Sequence, residues 1–188
     1  MPLVRDKPQK PKEKQGPDRS SPAPNPRLEK TELRRWIVYL AGEIHTEWRY
    51  EIVTKAADFG LPVDFTYPVL VHQSSDDCGC QILGEEQDPR WRDHKAAKIN
   101  AMRTRGLIQE ADILVACFDA DRKYRQWNAA FDAGYAAALG KAVITLHSDA
   151  VIHPLKEVDA AALAVASSPD EVVDLLHYVT CGLLPHNT

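Results

Sequence analysis

The stretch Asp112-Ile-Leu-Val-Ala-Cys-Phe118 is the clearest buried strand in the sequence. After its first residue it is apolar without alternation, which is typical of a strand that is covered on both faces of a sheet. The run Trp36-Ile-Val-Tyr-Leu-Ala41 has the same character and ends at Gly42. Two such strands predict a sheet that forms the middle layer of a layered domain.

Helical patterns separate these two strands from weaker strand-like segments. Helices are predicted over about 45–59, 91–110 and 124–139 and after Pro169, and further strands over 61–67, 142–147 and 163–166. Strands that alternate with helices indicate right-handed crossovers and a parallel sheet. We therefore expect a three-layer α/β fold, with a parallel five-stranded sheet and helices on both faces.

The first 34 residues differ from the rest in composition. They contain seven of the 13 prolines and almost no large apolar residues. Such a segment cannot bury enough surface to offset the entropy of ordering it. We therefore expect a disordered tail over residues 1–34 and a single domain over 35–184.

Charge and cysteine usage limit the possible functions. The whole chain has a formal net charge of −4, but residues 1–35 carry ten basic and five acidic residues, which leaves −9 for the remainder. An acidic domain binds phosphate backbones poorly, so no nucleic acid is expected on it. No apolar run is long enough to span a membrane, and without a signal peptide a cytoplasmic location is expected. The spacing of Cys78 and Cys80 is not that of a common zinc or redox site, and no metal or cofactor is predicted.

Ligands of open parallel sheets bind beyond the carboxyl ends of the strands. After the first strand, Gly42 allows a ligand to approach the backbone closely. Glu43 and His45 follow at the strand end, and Arg49 comes one helical turn later. The alternative is a turn and a helix cap that carry surface charges.

Three other polar groups are candidates for the same edge. The first is Asn128 and Asp132, four residues apart on the helix predicted over 124–139, where small alanines would let the helix approach the sheet and partly bury the carboxylate. The second is Asp119 and Arg122 after the buried strand. The third, with His72 and Asp76, is a polar stretch over 72–90 that is long for a structureless loop. Solvated charges and surface loops are the alternatives. The apolar stripe of that helix is predicted to contain Tyr124, Trp127, Phe131, Tyr135 and Ala138.

Several short motifs resemble one known family. Tyr39-Leu-Ala-Gly42 and Phe131-Asp-Ala-Gly-Tyr-Ala136 resemble motifs of the nucleoside 2-deoxyribosyltransferase superfamily. The stretches from Tyr39 to Arg49 (YLAGEIHTEWR) and from Tyr124 to Asn128 (YRQWN), together with His153-Pro-Leu-Lys-Glu157, resemble the YtoQ family within it. The resemblance covers nearly the whole predicted domain and excludes the tail.

The resemblance implies a flavodoxin/Rossmann-like fold and an enzyme of the N-glycosidic bond. In the superfamily a glutamate attacks the anomeric carbon, and an acidic residue protonates the leaving base. Asp132 occupies the glutamate position, Tyr39 matches a tyrosine near that carboxylate, and Asp119 matches the acidic position near the base. The sequence departs from the superfamily in having Asp instead of Glu, and in having Asn128-Ala129 where Gly-Thr is usual.

The leading hypothesis is a nucleoside 2-deoxyribosyltransferase-like transferase or an N-glycoside hydrolase. In it Asp132 is the nucleophile, Asp119 or Glu43 is the acid and base, and Tyr39 orients the nucleophile. The residues predicted to bind a nucleoside or nucleotide are Gly42, His45, Arg49, His72, Asp76, Arg122, Trp127 and Asn128. The alternatives are a non-catalytic nucleotide-sensing or nucleotide-sugar-binding module, and a scaffold protein whose tail does the work. Resemblance to this fold also predicts a homo-oligomer.

Overall fold

The computed structural model of the protein describes residues 34–119 and 126–184 and, for His72, the backbone alone. Its five strands form one sheet in the order β2-β1-β3-β4-β5, and every neighbouring pair is parallel. This order is the flavodoxin-like one, and the predicted fold class is confirmed. The strands are β1 (Trp36–Gly42), β2 (Val63–Thr66), β3 (Ile113–Phe118), β4 (Ala142–His147) and β5 (Ala164–Ala166).

Helices cover both faces of the sheet. In the described part of the chain they are α1 (Trp48–Asp58), α2 (His72–Asp76), α3 (Cys78–Leu83), α4 (Pro89–Glu110), α5 (Trp127–Ala138), α6 (Ile152–Ala161) and α7 (Pro169–Cys181). The starts of α4 and α7 have clear chemical causes. Asp88 accepts a hydrogen bond from the Arg90 amide at the start of α4, and Ser168 does the same for the Glu171 amide at the start of α7. A proline follows each cap at the position where no backbone donor is lost.

The alternation of side chains along β1 divides the core into two parts. Val38 and Leu40 point to the face that α1 and α7 cover. Tyr39 and Ala41 point to the opposite face, against α4 and α5. All six residues of β3 are buried, as expected for a central strand that is covered on both sides. Tyr39 is therefore placed below α5, the helix that carries Asp132.

Two segments differ from the sequence predictions. The polar stretch over 72–90 is not a structureless loop, because α2, α3 and the start of α4 lie within it. Helix α6 lies between the strands predicted over 142–147 and 163–166 and was not predicted. No residue of α6 is fully buried, so the helix leaves no strong apolar period in the sequence.

The predicted apolar stripe of α5 is wrong. Trp127 is 70 % exposed and Phe131 58 % exposed, whereas Ala129, Ala133 and Ala136 are buried against the sheet. Small side chains let the helix approach the sheet closely. The rings of Trp127 and Phe131 are directed away from the sheet, whereas Tyr135 is half-buried against the core. Tyr124 lies outside the described residues.

The predicted disordered tail also lies outside the described residues, except for Arg34. Among the described helices, none is both long and apolar enough to cross a membrane.

Candidate active site

A cavity of about 640 Å³ lies beside the carboxyl end of β1 and beneath the start of α5. In the flavodoxin-like strand order, β1 and β3 are neighbours where the chain changes direction across the sheet, which is where ligands of such folds bind. The end of β1, the segment after β2, helix α2, helix α4 and helix α5 all contribute to its lining. Gly42, Glu43 and His45, which were predicted to lie at this strand end, therefore line a concave surface.

Asp132 lies on α5 and lines this cavity. Its side chain is half-buried, and no hydrogen bond or ion pair joins it to another residue within 34–119 or 126–184. Burial alone raises the pKa of the Asp132 carboxyl from 3.8 to about 7. A desolvated carboxylate without a compensating cation is costly to keep, and such groups concentrate at functional sites.

Tyr39 lines the same cavity from β1. It is 0 % exposed, and its hydroxyl has no hydrogen-bond partner in the described part of the chain. Burial raises the pKa of Tyr39 to about 12, the Asp132 charge adds to this effect, and the nearby Thr104 side chain opposes it. The Thr104 and Tyr39 hydroxyls do not meet hydrogen-bond geometry. The phenol is therefore a buried donor that lies close to Asp132.

Glu43 shapes the turn between β1 and α1. One carboxylate oxygen accepts hydrogen bonds from the His45 amide at 2.5 Å and the Thr46 amide at 3.1 Å, and the other accepts one from the Thr46 hydroxyl. Glu43 also lines the cavity, although only 9 % of it is exposed. Three donors occupy the oxygens of this one carboxylate, which suits a structural role in the turn better than the role of a proton donor to a ligand.

Arg49 holds the end of β1 from within the protein. Its guanidinium donates to the carbonyl oxygens of Leu40 at 3.1 Å, Gly42 at 2.9 Å and Glu43, and it lies over the Trp48 ring. The side chain is 5 % exposed and does not line the cavity. Burial lowers the pKa of Arg49. The predicted substrate-binding role is therefore replaced by a structural one, because the donors are directed at the backbone.

Gly42 satisfies two steric conditions at once. Its φ of +143° is a conformation that side-chain-bearing residues rarely adopt. A Cβ atom at this position would lie 2.7 Å from the Cys117 carbonyl oxygen of the neighbouring strand. Gly42 also lines the cavity. Because it has no side chain, both β3 and a ligand can approach its backbone closely.

The remaining predicted residues divide into three groups. Those that line the cavity are His45, Asp76, Trp127 and Asn128. Asp119 is exposed at the end of β3 and is not in the lining. Arg122 lies outside the described residues, and for His72 only its backbone position at the start of α2 is described.

Helix α4 supplies cavity residues that the sequence did not reveal. Asn100, Arg103 and Thr104 follow the i, i+3, i+4 spacing of one helical face and line the cavity opposite α5. Asn100 also donates to the Ser75 carbonyl at 3.0 Å, which ties α4 to α2. Polar residues at helical spacing are typical of any solvated helix, so only the tertiary structure distinguishes this face.

No group of three His, Cys, Asp or Glu side chains within 34–119 and 126–184 is arranged to hold a metal ion. The four cysteines in this part of the chain are free thiols. Burial, together with the Glu43 charge, raises the pKa of the Cys117 thiol to about 12. This thiol is therefore a core group rather than a nucleophile.

Comparison with protein families agrees with the motifs. The family model described as nucleoside 2-deoxyribosyltransferase YtoQ matches residues 39–180. This chain belongs to the YtoQ family. It is 40 % identical over 144 residues to a Bacillus subtilis (strain 168) protein named Uncharacterized protein YtoQ, a match that covers 77 % of this chain and 96 % of that one. The family match contains both Tyr39 and Asp132.

A solved structure shows a similar fold at low identity. A conserved protein from Enterococcus faecalis V583 is similar with a TM-score of 0.55 and 15 % identity, over 78 % of this YtoQ-family chain and 99 % of that one. The likeness supports the fold alone. The CMP N-glycosidase BcmB of Clostridium botulinum is 14 % identical with a TM-score of 0.36, over 74 % of this chain and 97 % of that one.

Proposed function

We propose that this YtoQ-family protein is an enzyme that cleaves or transfers the N-glycosidic bond of a nucleoside or nucleotide, with Asp132 as nucleophile. The observation that carries the proposal is the Asp132 carboxyl, half-buried without a partner in the described structure and exposed to a cavity at the β1 end. The description of the family supports the same class of reaction. A cavity of about 640 Å³ falls within the usual range for small-molecule sites.

In the proposed reaction, the ionised Asp132 attacks the anomeric carbon of the sugar. The bond between that carbon and the base nitrogen breaks, its electron pair goes to the nitrogen, and an acid supplies the proton that the leaving base requires. Water or a second nucleobase then attacks the same carbon and displaces the Asp132 carboxylate. The Tyr39 hydroxyl, buried near Asp132 and without a partner in the described chain, is proposed to orient the carboxylate.

The proton donor is assigned between Asp119 and Glu43 by their surroundings. Glu43 accepts three hydrogen bonds in the turn before α1, so its carboxylate oxygens are occupied by that turn. Asp119 is exposed at the end of β3, the strand beside β1. We therefore propose Asp119 as the acid, although it does not line the cavity in this structure. His45, Asp76, Trp127 and Asn128 are proposed to contact the base and the sugar.

One observation favours a second function. Aspartate is one methylene shorter than the glutamate of the superfamily, a difference of ~1.5 Å in reach. Misplacement by about an ångström can reduce a rate by ~100-fold. The alternative function is a nucleotide-binding module that keeps the cavity and does not turn over its ligand.

The experiment that separates the two functions compares three proteins by liquid chromatography and mass spectrometry. Wild type, Asp132→Asn and the control Asp58→Asn are incubated with ribo- and deoxyribonucleosides, their 5′-monophosphates and a second free base. Asp58 is exposed at the end of α1 and does not line the cavity. Base release by wild type and Asp58→Asn but not by Asp132→Asn is expected, and a swapped base identifies a transferase. Turnover that survives in Asp132→Asn contradicts the nucleophile, and binding without turnover in wild type favours the module.

A further inference from the structure

Helix α4 presents an unusual surface to the rest of the protein. Of its 22 residues only Ala96 and Ile108 are buried. The face that lines the cavity carries Asp93, Asn100, Arg103 and Thr104 among alanines. Here that face lies opposite Asp132 across an open cavity.

Arg103 is an unpaired cation at this face. Its one hydrogen bond in the described structure is long, 3.5 Å to the Tyr67 carbonyl oxygen, and no carboxylate of residues 34–119 or 126–184 forms an ion pair with it. Arg92 on the same helix differs, because it pairs with Asp77. Guanidinium groups in a concave site are suited to bind carboxylate or phosphate with paired donors.

Arg103 forms no ion pair with Asp132 in the described structure. The raised pKa of Asp132 has burial as its cause, with no neighbouring cation to lower it. Both groups nevertheless act on Tyr39, since the Asp132 charge raises the pKa of the phenol and the Arg103 charge lowers it. Tyr39 is thus within electrostatic range of both. Asp132 on α5 and Arg103 on α4 line one cavity without forming an ion pair in the described structure, and we treat Arg103 as a second subsite; Asp76 and Asp93 add further carboxylates to the lining.

The chemistry of the donors indicates what the second subsite binds. Arg103 only donates hydrogen bonds, and its one hydrogen bond within the described residues is the long one to Tyr67. A ligand rich in acceptor oxygens would use the donors that remain. A phosphate group on the sugar carries such oxygens. The sugar ring holds them apart from the anomeric carbon, where the reaction takes place.

We propose that Arg103 binds a phosphate group of the substrate, so that the site selects a nucleoside 5′-monophosphate over the corresponding nucleoside. The inference rests on the proposed function, because it takes Asp132 as the position of the anomeric carbon. Arg105 also lines the cavity, but it lies on the side shared with a neighbouring groove. Arg103 is therefore the specificity-determining residue.

The test measures binding, so that it does not depend on turnover. Dissociation constants are determined by calorimetry for Asp132→Asn with nucleosides of the common bases and with their 5′-monophosphates, in ribo and deoxy forms, and with inorganic phosphate. The same ligands are then titrated into Asp132→Asn combined with Arg103→Gln, or with Lys98→Gln as a matched control. Lys98 is on α4 but lines only the neighbouring groove. Circular dichroism checks that each variant is folded.

At least one monophosphate is expected to bind about 10- to 100-fold more tightly than its nucleoside, the range for a charged hydrogen bond. Arg103→Gln is expected to remove this advantage, and Lys98→Gln to keep it. Equal binding of nucleoside and monophosphate, an advantage that survives Arg103→Gln, or no binding of any monophosphate overturns the inference. Failure of the proposed function is distinguishable, because wild type would then bind a monophosphate through Arg103 and release no base.

Discussion

The Tyr39 hydroxyl lies within electrostatic range of the Asp132 carboxyl, and neither group has a hydrogen-bond partner in the described part of the chain. One is on the central strand β1 and the other on α5, so the fold brings together residues that are 93 positions apart in the sequence. Desolvation of these two polar groups beside one cavity is unfavourable for folding. Such groups are expected where a ligand completes their interactions.

The first prediction concerns the pH dependence of turnover. If Asp132 attacks as a carboxylate, only its ionised form reacts, and burial places the pKa of this group at about 7. The specificity constant kcat/KM is therefore expected to rise with pH through about 7, up to the pH at which the proposed acid loses its proton. Measurement of initial rates from pH 5 to 9 checks this. A specificity constant that falls as pH rises through 7 would assign Asp132 the role of a proton donor.

The second prediction concerns stability. The pKa of Asp132 is about 7 in the folded protein against 3.8 ordinarily, so the folded state binds this proton more tightly than the unfolded state. Stability is consequently lost as pH rises from about 4 to 7. Asn does not ionise, so Asp132→Asn is expected to be more stable than wild type at pH 8, by on the order of 2 kcal/mol.

The measurement is urea unfolding of wild type, Asp132→Asn and Asp58→Asn at pH 4.5 and pH 8. The gain of Asp132→Asn is expected to shrink toward zero at the lower pH, and Asp58→Asn is expected to follow wild type throughout. A gain that is the same at both pH values would show that the desolvated charge is not its cause.

The central part of this fold could be predicted from the sequence because burial on two faces leaves a simple signature. The continuous apolar run of β3 and the Gly42 that ends β1 each report a local requirement of the backbone or the core. The short helices α2 and α3 leave no comparable signature, since five or six residues are too few to establish a helical period. The aromatic stripe assigned to α5 was wrong because the small alanine side chains, and not large aromatic ones, allow this helix to pack closely on the sheet.

The candidate site could be predicted only in part, for a similar reason. A position beyond a parallel strand is predictable, and Gly42, Glu43 and His45 do line the cavity. Arg49 follows the same strand, but its guanidinium donates to backbone carbonyl oxygens. The sequence shows only that an arginine is present, not which groups it contacts. Arg103 was missed because its helix is polar over most of its surface, and the cavity that gives this residue meaning is formed by tertiary packing.

The third prediction concerns Gly42→Ala. The new Cβ atom would lie 2.7 Å from the Cys117 carbonyl oxygen, and the φ of +143° is unfavourable to alanine. Both effects act on the centre of the sheet, so we expect a loss of about 3 kcal/mol in the free energy of unfolding. Gly140→Ala is the matched control, because its φ is +73° and a Cβ would meet no heavy atom within 4 Å. This control is expected to lose about 1 kcal/mol. Equal losses for the two variants would contradict the proposed collision with β3.

The fourth prediction separates structure from catalysis at Glu43. Glu43→Gln replaces a carboxylate oxygen that accepts hydrogen bonds with an amide that donates them, opposite the donors of His45 and Thr46. The expected result is a loss of about 1–2 kcal/mol in unfolding free energy. Thr46→Val removes one of these donors and is expected to lose less. If Glu43→Gln abolishes base release without loss of stability, Glu43 and not Asp119 is the acid.

The last prediction concerns Arg49, whose role was reassigned from substrate binding to support of the strand end. Its guanidinium reaches the carbonyl oxygens of Leu40, Gly42 and Glu43, which lie in different directions around the end of β1. A lysine ammonium is a single point of charge and cannot replace this planar fork. Arg49→Lys therefore leaves buried carbonyl oxygens without donors, at a cost of about 2–4 kcal/mol in unfolding free energy.

Arg35→Lys is the control for this substitution, because Arg35 pairs with Asp64 on the protein surface and such a pair contributes under about 1 kcal/mol. Denaturant unfolding gives the stabilities, and calorimetry of the folded variants gives ligand affinity. The two roles predict opposite patterns. A supporting Arg49 lowers stability first and affinity only through distortion of the turn at Gly42, whereas a substrate ligand would weaken binding in a protein that unfolds like wild type. The second pattern would return Arg49 to the site, and because its side chain is 5 % exposed, it would also require the turn at Gly42 to open before substrate binds.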